Sequence, residues 1–321
     1  MAIIGQDIEK AKEFLEAGQL VAIPTETVYG LAGNALDVGA VAKIFETKNR
    51  PSFDPLIVHT DSIEKIGAFV GEIPDPLRKL GENFWPGPLT LLLEKKAIIP
   101  DLVTAGLNRV AVRLPRHSLT RSLLEALDFP LAAPSANPFG YISPTRATHV
   151  EKQLGDKIPY ILDGGSCVVG LESTIVGMED GKVTVYRLGG LDLNQITELV
   201  GEVEIKSHSS SNPAAPGLLK SHYAPSKEFV LGNLDELVPE MLQRGKPFGV
   251  LSLSKRFTLD CPAPQFQLSP SGDLVEAARN LFDYLRQLDQ SGVELILAEL
   301  MPEKGLGRAI NDRLRRAAAK G

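Results

Sequence analysis

The sequence predicts an α/β protein built from a large N-terminal domain and a smaller C-terminal one. Segments with apolar residues at helical spacing alternate along the chain with apolar runs of strand length. A serine- and proline-rich stretch, KSHSSSNPAAPGLLKSHYAPSK, interrupts this alternation and reads as a linker. Beyond it FVLGN, PFGVLSLS and ELILAEL read as strands interleaved with helices near 234–243, 272–289 and 306–318, the pattern of a small doubly wound α/β domain. The expected division is residues 1–204, a linker at 205–227, and a C-terminal domain at 228–321.

In chain order, Ile8 to Ala17 has helical spacing and Gly18 is a stop. Leu20–Pro24 is a buried strand that feeds TETVYGLAG, placing Thr25, Glu26, Thr27 and Tyr29 just past it. Ala40 to Glu46 is helical and delivers the chain to KNRPSFDPLIVH. There Lys48 and Arg50 flank Asn49, Pro51 stops the helix, and Leu56-Ile57-Val58 is a short strand closing on His59. Two cations on a rigid loop are either binding groups or a solvated helix end complementing the helix C-terminus. Helices over Ile63–Phe69 and Asp75–Phe84 lead to the turn Trp85–Pro88 and the apolar strand Leu89–Leu93.

The next strand, VAVRLP, has Arg109 at its entry and Arg113 inside it. An arginine in an apolar strand needs a partner, because an unpaired buried charge is costly. Either a protein carboxylate such as Glu26 or the carboxylate or phosphate of a ligand would serve. After a helix at 118–127, PLAAPSANPFGYISPT is a strand ending in a loop rich in hydrogen-bonding groups, among them Ser135, Asn137, Tyr141, Ser143 and Thr145. Tyr160–Gly165 is a strand with a glycine exit. GLESTIVGM sets Glu172, Ser173 and Thr174 before another strand, and VTVYRLGG carries Arg187 to a Gly-Gly turn.

The 321 residues are 43% hydrophobic and 23% charged, with net charge −6, so no polyanion-coating surface is expected. The two cysteines, Cys167 and Cys261, stand far apart and fit buried thiols in a reducing compartment. Early charges in the first residues speak against a signal-peptide core, and no apolar run reaches the ~20 residues of a membrane span, so the expected location is cytoplasmic. There is no GxxxxGK[ST], GxGxxG after a strand, HExxH, paired CxxC or GxSxG, which excludes the common phosphate-loop, dinucleotide, zinc and nucleophile-elbow sites. What remains is hydroxyls, amides and arginines gathered at strand ends, where open α/β sheets bind ligands. That inventory suits holding a polyanion beside a second substrate, as phosphoryl and nucleotidyl transfer require.

The ordered series PTETVYGL, KNRPSFDPLIVH, WPGPLTLLL, VAVRLP, APSAN, DGG and LESTIV resembles the YrdC-like threonylcarbamoyl-AMP synthases across about residues 8–200. PGLLKSHYAP and the further α/β domain resemble the longer, two-domain form of that family. The resemblance implies a twisted open α/β sheet with a large concave cavity, followed by a Rossmann-like C-terminal domain. It implies formation of threonylcarbamoyl-AMP and pyrophosphate from L-threonine, bicarbonate or CO₂, and ATP with Mg²⁺, and no metal site of the protein's own. A partner complex would then transfer the threonylcarbamoyl group to tRNA next to the anticodon, with tRNA itself a candidate partner. The family's KxR…SxN tetrad falls on Lys48, Arg50, Ser135 and Asn137. Threonine is expected around Thr27, His59, Arg113, Ala133 and Ser173. ATP is expected against Arg50, Asp54, Arg109, Ser135, Ser143, Arg187 and Tyr223.

Two positions depart from the family pattern. Asp54 replaces an asparagine found in some members, and a carboxylate beside a triphosphate needs Mg²⁺, ribose or Lys48 opposite it. Arg109 occupies a variable place. Within the linker, Pro216–Pro225 is either a lid that brings Tyr223 over the nucleotide or simple packing between domains. Two rival functions are a double-stranded RNA or tRNA-binding module, disfavoured by the net negative charge, and a carbamoyl-transfer domain. GLGR at Gly305–Arg308 reads as a helix start and a weak anion site.

Overall fold

The computed structural model describes residues 1–206, 215, 222–259 and 263–319. The chain divides into two compact units. The first holds the described residues of Met1–Phe139, Ser143–Val168 and Glu172–Leu219; the second holds those of Gly140–Ile142, Val169–Leu171 and Lys220–Gly321.

The first unit begins with β1 (Ile3–Gly5), α1 (Ile8–Glu16), β2 (Val21–Ile23), β3 (Gly30–Asn34) and α2 (Val38–Lys48). β4 (Ile57–His59), α3 (Ile63–Ile66), α4 (Asp75–Phe84), β5 (Leu89–Glu94), α5 (Asp101–Thr104) and β6 (Arg109–Arg113) follow. Then come α6 (Ser118–Glu125), β7 (Leu131–Ala132), α7 (Ala147–Leu154) and β8 (Tyr160–Leu162). The unit ends with β9 (Thr174–Glu179), β10 (Lys182–Arg187), α8 (Leu193–Val200) and β11 (Glu204–Ile205). Among the described residues its strands form one eleven-stranded sheet, ordered β1-β8-β2-β3-β7-β4-β6-β5-β9-β10-β11, with parallel and antiparallel neighbours mixed. The open α/β sheet expected of the sequence is present.

Period-two alternation decides what each face carries. In β2, Val21 and Ile23 pack with Ala11, Leu15, Leu123 and Leu124 of α1 and α6, whereas Ala22 packs on the other face with Val41 and Ile44 of α2. The second of these faces continues through Val58, Val112, Leu91 and Val176, over which α2 and α4 bury their apolar stripes. Ile57, Ala111, Leu92 and Ile175 therefore point the opposite way, and with Tyr186 they pack against Ala215. No helical residue belongs to that small cluster among the described residues. This is the face on which His59, Arg113 and Thr90 stand.

The second unit contains β12 (Glu228–Leu231), α9 (Leu234–Arg244), β13 (Phe248–Ser252), β14 (Gln265–Gln267), α10 (Leu274–Asp289), β15 (Leu295–Ala298) and α11 (Gly307–Ala318). Its four described strands are all parallel, ordered β12-β15-β13-β14. α9 buries Leu234, Val238 and Met241 against Phe248, Val250, Leu295 and Leu297. α10 approaches β13 closely enough that a Cβ at Gly249 would lie 2.6 Å from the Leu288 side chain. The Rossmann-like arrangement expected of this half is thus observed. GLGR does open α11, but a Cβ on Gly307 would meet the Pro302 carbonyl at 2.0 Å, so that glycine serves a tight turn.

Candidate active site

The KNR segment is shaped by the end of α2. Asn49 caps the helix in the left-handed conformation (φ 52°), and its N–H and that of Arg50 bond back to Glu46 and Phe45 carbonyls. Lys48 is thereby left in the last turn, only 1% exposed. Its ammonium donates to the main-chain carbonyls of Ser135 (2.5 Å) and Asn137, while the Phe139 N–H bonds to the Lys48 carbonyl (2.8 Å). Lys48, Ser135 and Asn137, read in the sequence as parts of two separate motifs, are thereby joined, with the Ser135–Phe139 loop against the helix end. Burial, with the charge of Arg50 added, pushes the Lys48 pKa well below the ordinary lysine value, and the Asp54 carboxylate offsets part of this.

Arg50 is held by oxygens of its own loop. Its guanidinium pairs with the Asp54 carboxylate at 2.9 Å and donates to the Asp54 and Pro55 carbonyls at 3.0 and 2.8 Å. Phe139 lies against it, 5.9 Å from ring centre to Cζ. The Asp54 side chain is fully buried. Asp54 thus acts as the counter-ion of Arg50.

A second row crosses the adjacent strands β4, β6 and β5 and continues to Ser173, just before β9, and Arg187 at the end of β10. His59 and Arg113 are register partners in β4 and β6, and Arg113 and Thr90 are partners in β6 and β5. Residues directly opposite each other share a face. Thr90 shares a hydrogen bond with the Ser173 hydroxyl at 2.7 Å. Arg187, ending β10 after a bulge, donates to the Ser173 carbonyl (2.9 and 3.1 Å) and hydroxyl (3.1 Å). His59 is 2% exposed and its Nδ1–H donates to the Ile57 carbonyl at 3.2 Å. Burial, reinforced by the charge of Arg113, depresses its pKa to about 3, so the ring is neutral at neutral pH.

Arg113 has the protein carboxylate as its partner: Nη2 meets Glu26 Oε1 at 2.8 Å, and Nε donates to the Gly87 carbonyl at 3.3 Å. The second Glu26 oxygen accepts the Arg116 N–H at 2.9 Å. Burial alone would raise the Glu26 pKa, but the Arg113 charge and these hydrogen bonds outweigh it and hold the carboxyl below its usual value. Beside it Thr25 Oγ1 bonds Thr27 Oγ1 (2.8 Å) and the Val28 carbonyl (2.7 Å), which stiffens the loop that presents Thr27. Ser143, fully buried, donates to Glu172 at 2.5 Å, one residue before Ser173. Ala133 bonds through its N–H to the Ile57 carbonyl at 2.9 Å, and Ser135 bridges to Gly30 at the start of β3.

Two further predicted residues are Arg109 and Tyr223. Arg109 is at the opposite end of β6 from Arg113, roughly 13 Å away at strand rise, and donates to the Met178 carbonyl (3.1 Å) and the Tyr186 hydroxyl (2.9 Å). Tyr223 belongs to the second unit, 1% exposed and stacked on Phe282 with Arg313 over its face. Residues 216–221 of the suspected lid, and Cys261, lie outside the described residues; Cys167 is a buried free thiol. Thr90 was missed in the sequence; its signal is a single hydroxyl inside LTLLL. Glu26 was named only as a partner for Arg113, and Glu172 only by position. Among the described residues no three His, Cys, Asp or Glu side chains form a metal-binding group, and no helix is long and apolar enough to cross a membrane.

Residues 13–189 match the Sua5/YciO/YrdC family model, described as telomere recombination. Residues 191–319 match the family model described as the C-terminal domain of threonylcarbamoyl-AMP synthase. The chain is 42% identical to the threonylcarbamoyl-AMP synthase of Pyrococcus abyssi, over 97% of this chain and 94% of that protein. It is 38% identical to that of Bacillus subtilis, over 97% and 92%. The crystal structure of P. abyssi Sua5 complexed with L-threonine matches with a TM-score of 0.93 at 41% identity, covering 99% of this chain and 98% of that one. Both domain families and relatives spanning nearly the whole length place this chain in the threonylcarbamoyl-AMP synthase family, in its two-domain form.

Proposed function

We propose that the chain joins L-threonine, bicarbonate or CO₂, and ATP into threonylcarbamoyl-AMP and pyrophosphate. The observation that carries this is the Lys48 ammonium seated on the Ser135 and Asn137 carbonyls, which gathers the family tetrad into one cradle next to Arg50. In the reaction the threonine amine adds to the carbon of CO₂ and loses a proton, giving a carbamate. A carbamate oxygen then attacks the α-phosphorus of ATP, and the bond from that phosphorus to the bridging oxygen breaks to release pyrophosphate.

Lys48 and Arg50 face the triphosphate and stabilise the charge that shifts onto the leaving pyrophosphate. Their protein partners fix both before substrate binds, so little reorganisation accompanies the reaction. Bound phosphates also restore the proton that burial disfavours on Lys48. ATP enters as its Mg²⁺ complex, with Ser135, Asn137, Ser143 and Arg187 as further contacts and Asp54 acting through Arg50. Arg109 is left outside the set on its position. Threonine lies along the row of Thr27, His59, Arg113 and Ser173, with the Ala133 main chain beside it. Its carboxylate goes to the Arg113 guanidinium, already oriented by Glu26. Neutral His59, its Nδ1–H held by the Ile57 carbonyl, is a polar contact.

The product is a mixed carboxylic–phosphoric anhydride, suited to a transferase complex that passes the threonylcarbamoyl group to tRNA. The named relatives favour this reading over an RNA-binding module or a carbamoyl-transfer domain. The test is pyrophosphate release with each of threonine, bicarbonate and MgATP omitted in turn. Release is expected only with all three. Release from ATP without threonine would overturn the assignment.

A further inference from the structure

A hydroxyl has one proton and two lone pairs, so its protein neighbours decide which of them is left for a ligand. The two hydroxyls assigned to threonine, Thr27 and Ser173, belong to the first unit. Each is bonded there to a further threonine hydroxyl that no substrate role has claimed, Thr25 and Thr90.

At Ser173, Arg187 Nη2 lies 3.1 Å from Oγ and, as part of a guanidinium, can only donate. Thr90 Oγ1 lies 2.7 Å from the same oxygen. Thr90 is fully buried in the apolar run of β5, and among the described residues its hydroxyl has no other hydrogen-bond partner. Were Ser173 the donor, the Thr90 proton would be buried without an acceptor, a costly arrangement. Thr90 therefore donates. Both lone pairs of Ser173 Oγ are then occupied, by Thr90 and Arg187, and its own proton remains to be given.

At Thr27 the polarity is reversed. Thr25 Oγ1 is 2.7 Å from the Val28 carbonyl, which has no proton to give, so the Thr25 proton lies between them. Thr25 Oγ1 is also 2.8 Å from Thr27 Oγ1, and only the Thr27 proton is left for that bond. The Thr27 and Val28 N–H groups, 3.1 and 3.2 Å from Thr25 Oγ1, hold the arrangement in place. Thr27 thus presents lone pairs.

We infer that Thr90 and Thr25 are positioning residues that set the hydrogen-bond polarity of the proposed threonine pocket, making Ser173 a donor and Thr27 an acceptor. This rests on the reading above, in which Ser173 and Thr27 face threonine. The threonine carboxylate goes to Arg113, and the amine keeps its lone pair for the carbon of CO₂. The β-hydroxyl oxygen is therefore the acceptor for the Ser173 proton. An amine that reserves its lone pair still donates an N–H, and Thr27 takes it. Thr90 accordingly acts on the group that separates threonine from valine, and Thr25 on one that both amino acids share.

The test uses the full-length chain, with the KM for L-threonine and the inhibition constant of L-valine measured in pyrophosphate release, and folding followed by circular dichroism. Valine has the shape of threonine without the hydroxyl. Thr90→Val is expected to raise the KM for threonine about fivefold and leave valine inhibition within twofold. Thr90→Ser, which keeps the hydroxyl, is expected to return the KM to within twofold of the unmodified chain. Thr25→Val is expected to weaken threonine and valine alike; should it fail to fold, the two Thr90 variants decide the question. Ser173→Ala and Thr27→Ala are the direct controls. If these raise the KM for threonine while Thr90→Val does not, the positioning role is overturned and the site assignment stands. The positioning role is equally overturned if Thr90→Ser is as impaired as Thr90→Val, or if Thr90→Val weakens valine as much as threonine, since packing and not the proton is then responsible. If the controls leave the KM for threonine unchanged, the site assignment falls and the positioning role falls with it.

Discussion

Replacing Glu26 by glutamine probes how the proposed threonine pocket is held together. The substitution keeps the side chain's shape and removes its charge. Arg113 and Glu26 meet at 2.8 Å with side chains 4% and 2% exposed, so solvent screens the pair little. Removing one partner of such a pair costs about 3–5 kcal/mol, because the other charge stays buried and uncompensated. Glutamine retains an acceptor for Arg113 but weakens the bond from the Arg116 N–H, so a loss of about 3 kcal/mol is expected. Urea unfolding measures it through the midpoint and slope. Threonine should return part of the loss, since its carboxylate supplies the missing negative charge, and should therefore protect the variant more than the unmodified chain. Because the folded-state pKa of Glu26 is depressed, its contribution is present above the ordinary carboxylate value and fades as pH falls through that range. The variant should lack that fading component. A destabilisation under about 1 kcal/mol, the range of exposed pairs, with unaltered threonine protection would refute the reasoning.

Other outcomes follow from the same geometry. His59 binds its proton near pH 3 when folded, against an ordinary histidine value of 6.5, so between those values the unfolded chain holds more protons and stability falls as pH drops. About 2 kcal/mol should be lost between pH 7 and pH 5 on this account alone, and His59→Asn should remove that slope in urea titrations at the two pH values. Lys48 has a depressed pKa, so kcat/KM for ATP should fall with rising pH at a midpoint well below the ordinary lysine value. Lys48→Arg should flatten that limb of the profile. Thr90→Val should leave Ser173 with one partner fewer and raise the KM for threonine about fivefold, at a stability cost near 1 kcal/mol.

Much of this architecture was readable from the chain because local chemistry and global fold agree. Leu89–Leu93, Ile57–His59, Phe248–Ser252 and Leu295–Ala298 are largely apolar runs, and their burial follows. β3 was not predicted. Its sequence, GLAGN, has poor strand propensity; it is a strand because it pairs with β2 and β7, and its glycines answer to neighbours that leave no room for larger residues. A Cβ on Gly33 would lie 2.9 Å from Leu20, and one on Gly30 would lie 3.2 Å from Ala133. α7 was hidden because the loop before it, rich in Ser, Thr and Pro, reads as one continuous turn region.

Among the site residues, the strand arginine signalled itself through the cost of burying it, and the sequence left open whether Glu26 or a ligand answered that charge. Asp54 posed the reverse difficulty. Its ion-pair partner, Arg50, stands four residues away on the same loop, whereas the sequence reading named Mg²⁺, ribose or Lys48. The direction of the Ser173 proton could not be read in advance, since it depends on Thr90, 83 residues away, through a contact that no local pattern records.

The most direct measurement is the rate of pyrophosphate formation from threonine, bicarbonate and MgATP by Lys48→Met, with folding checked by circular dichroism. A buried cation fixed on the Ser135 and Asn137 carbonyls and aimed at the triphosphate predicts a fall in kcat of about 10²–10³-fold. A folded variant that turns over within twofold of the unmodified chain would contradict the account.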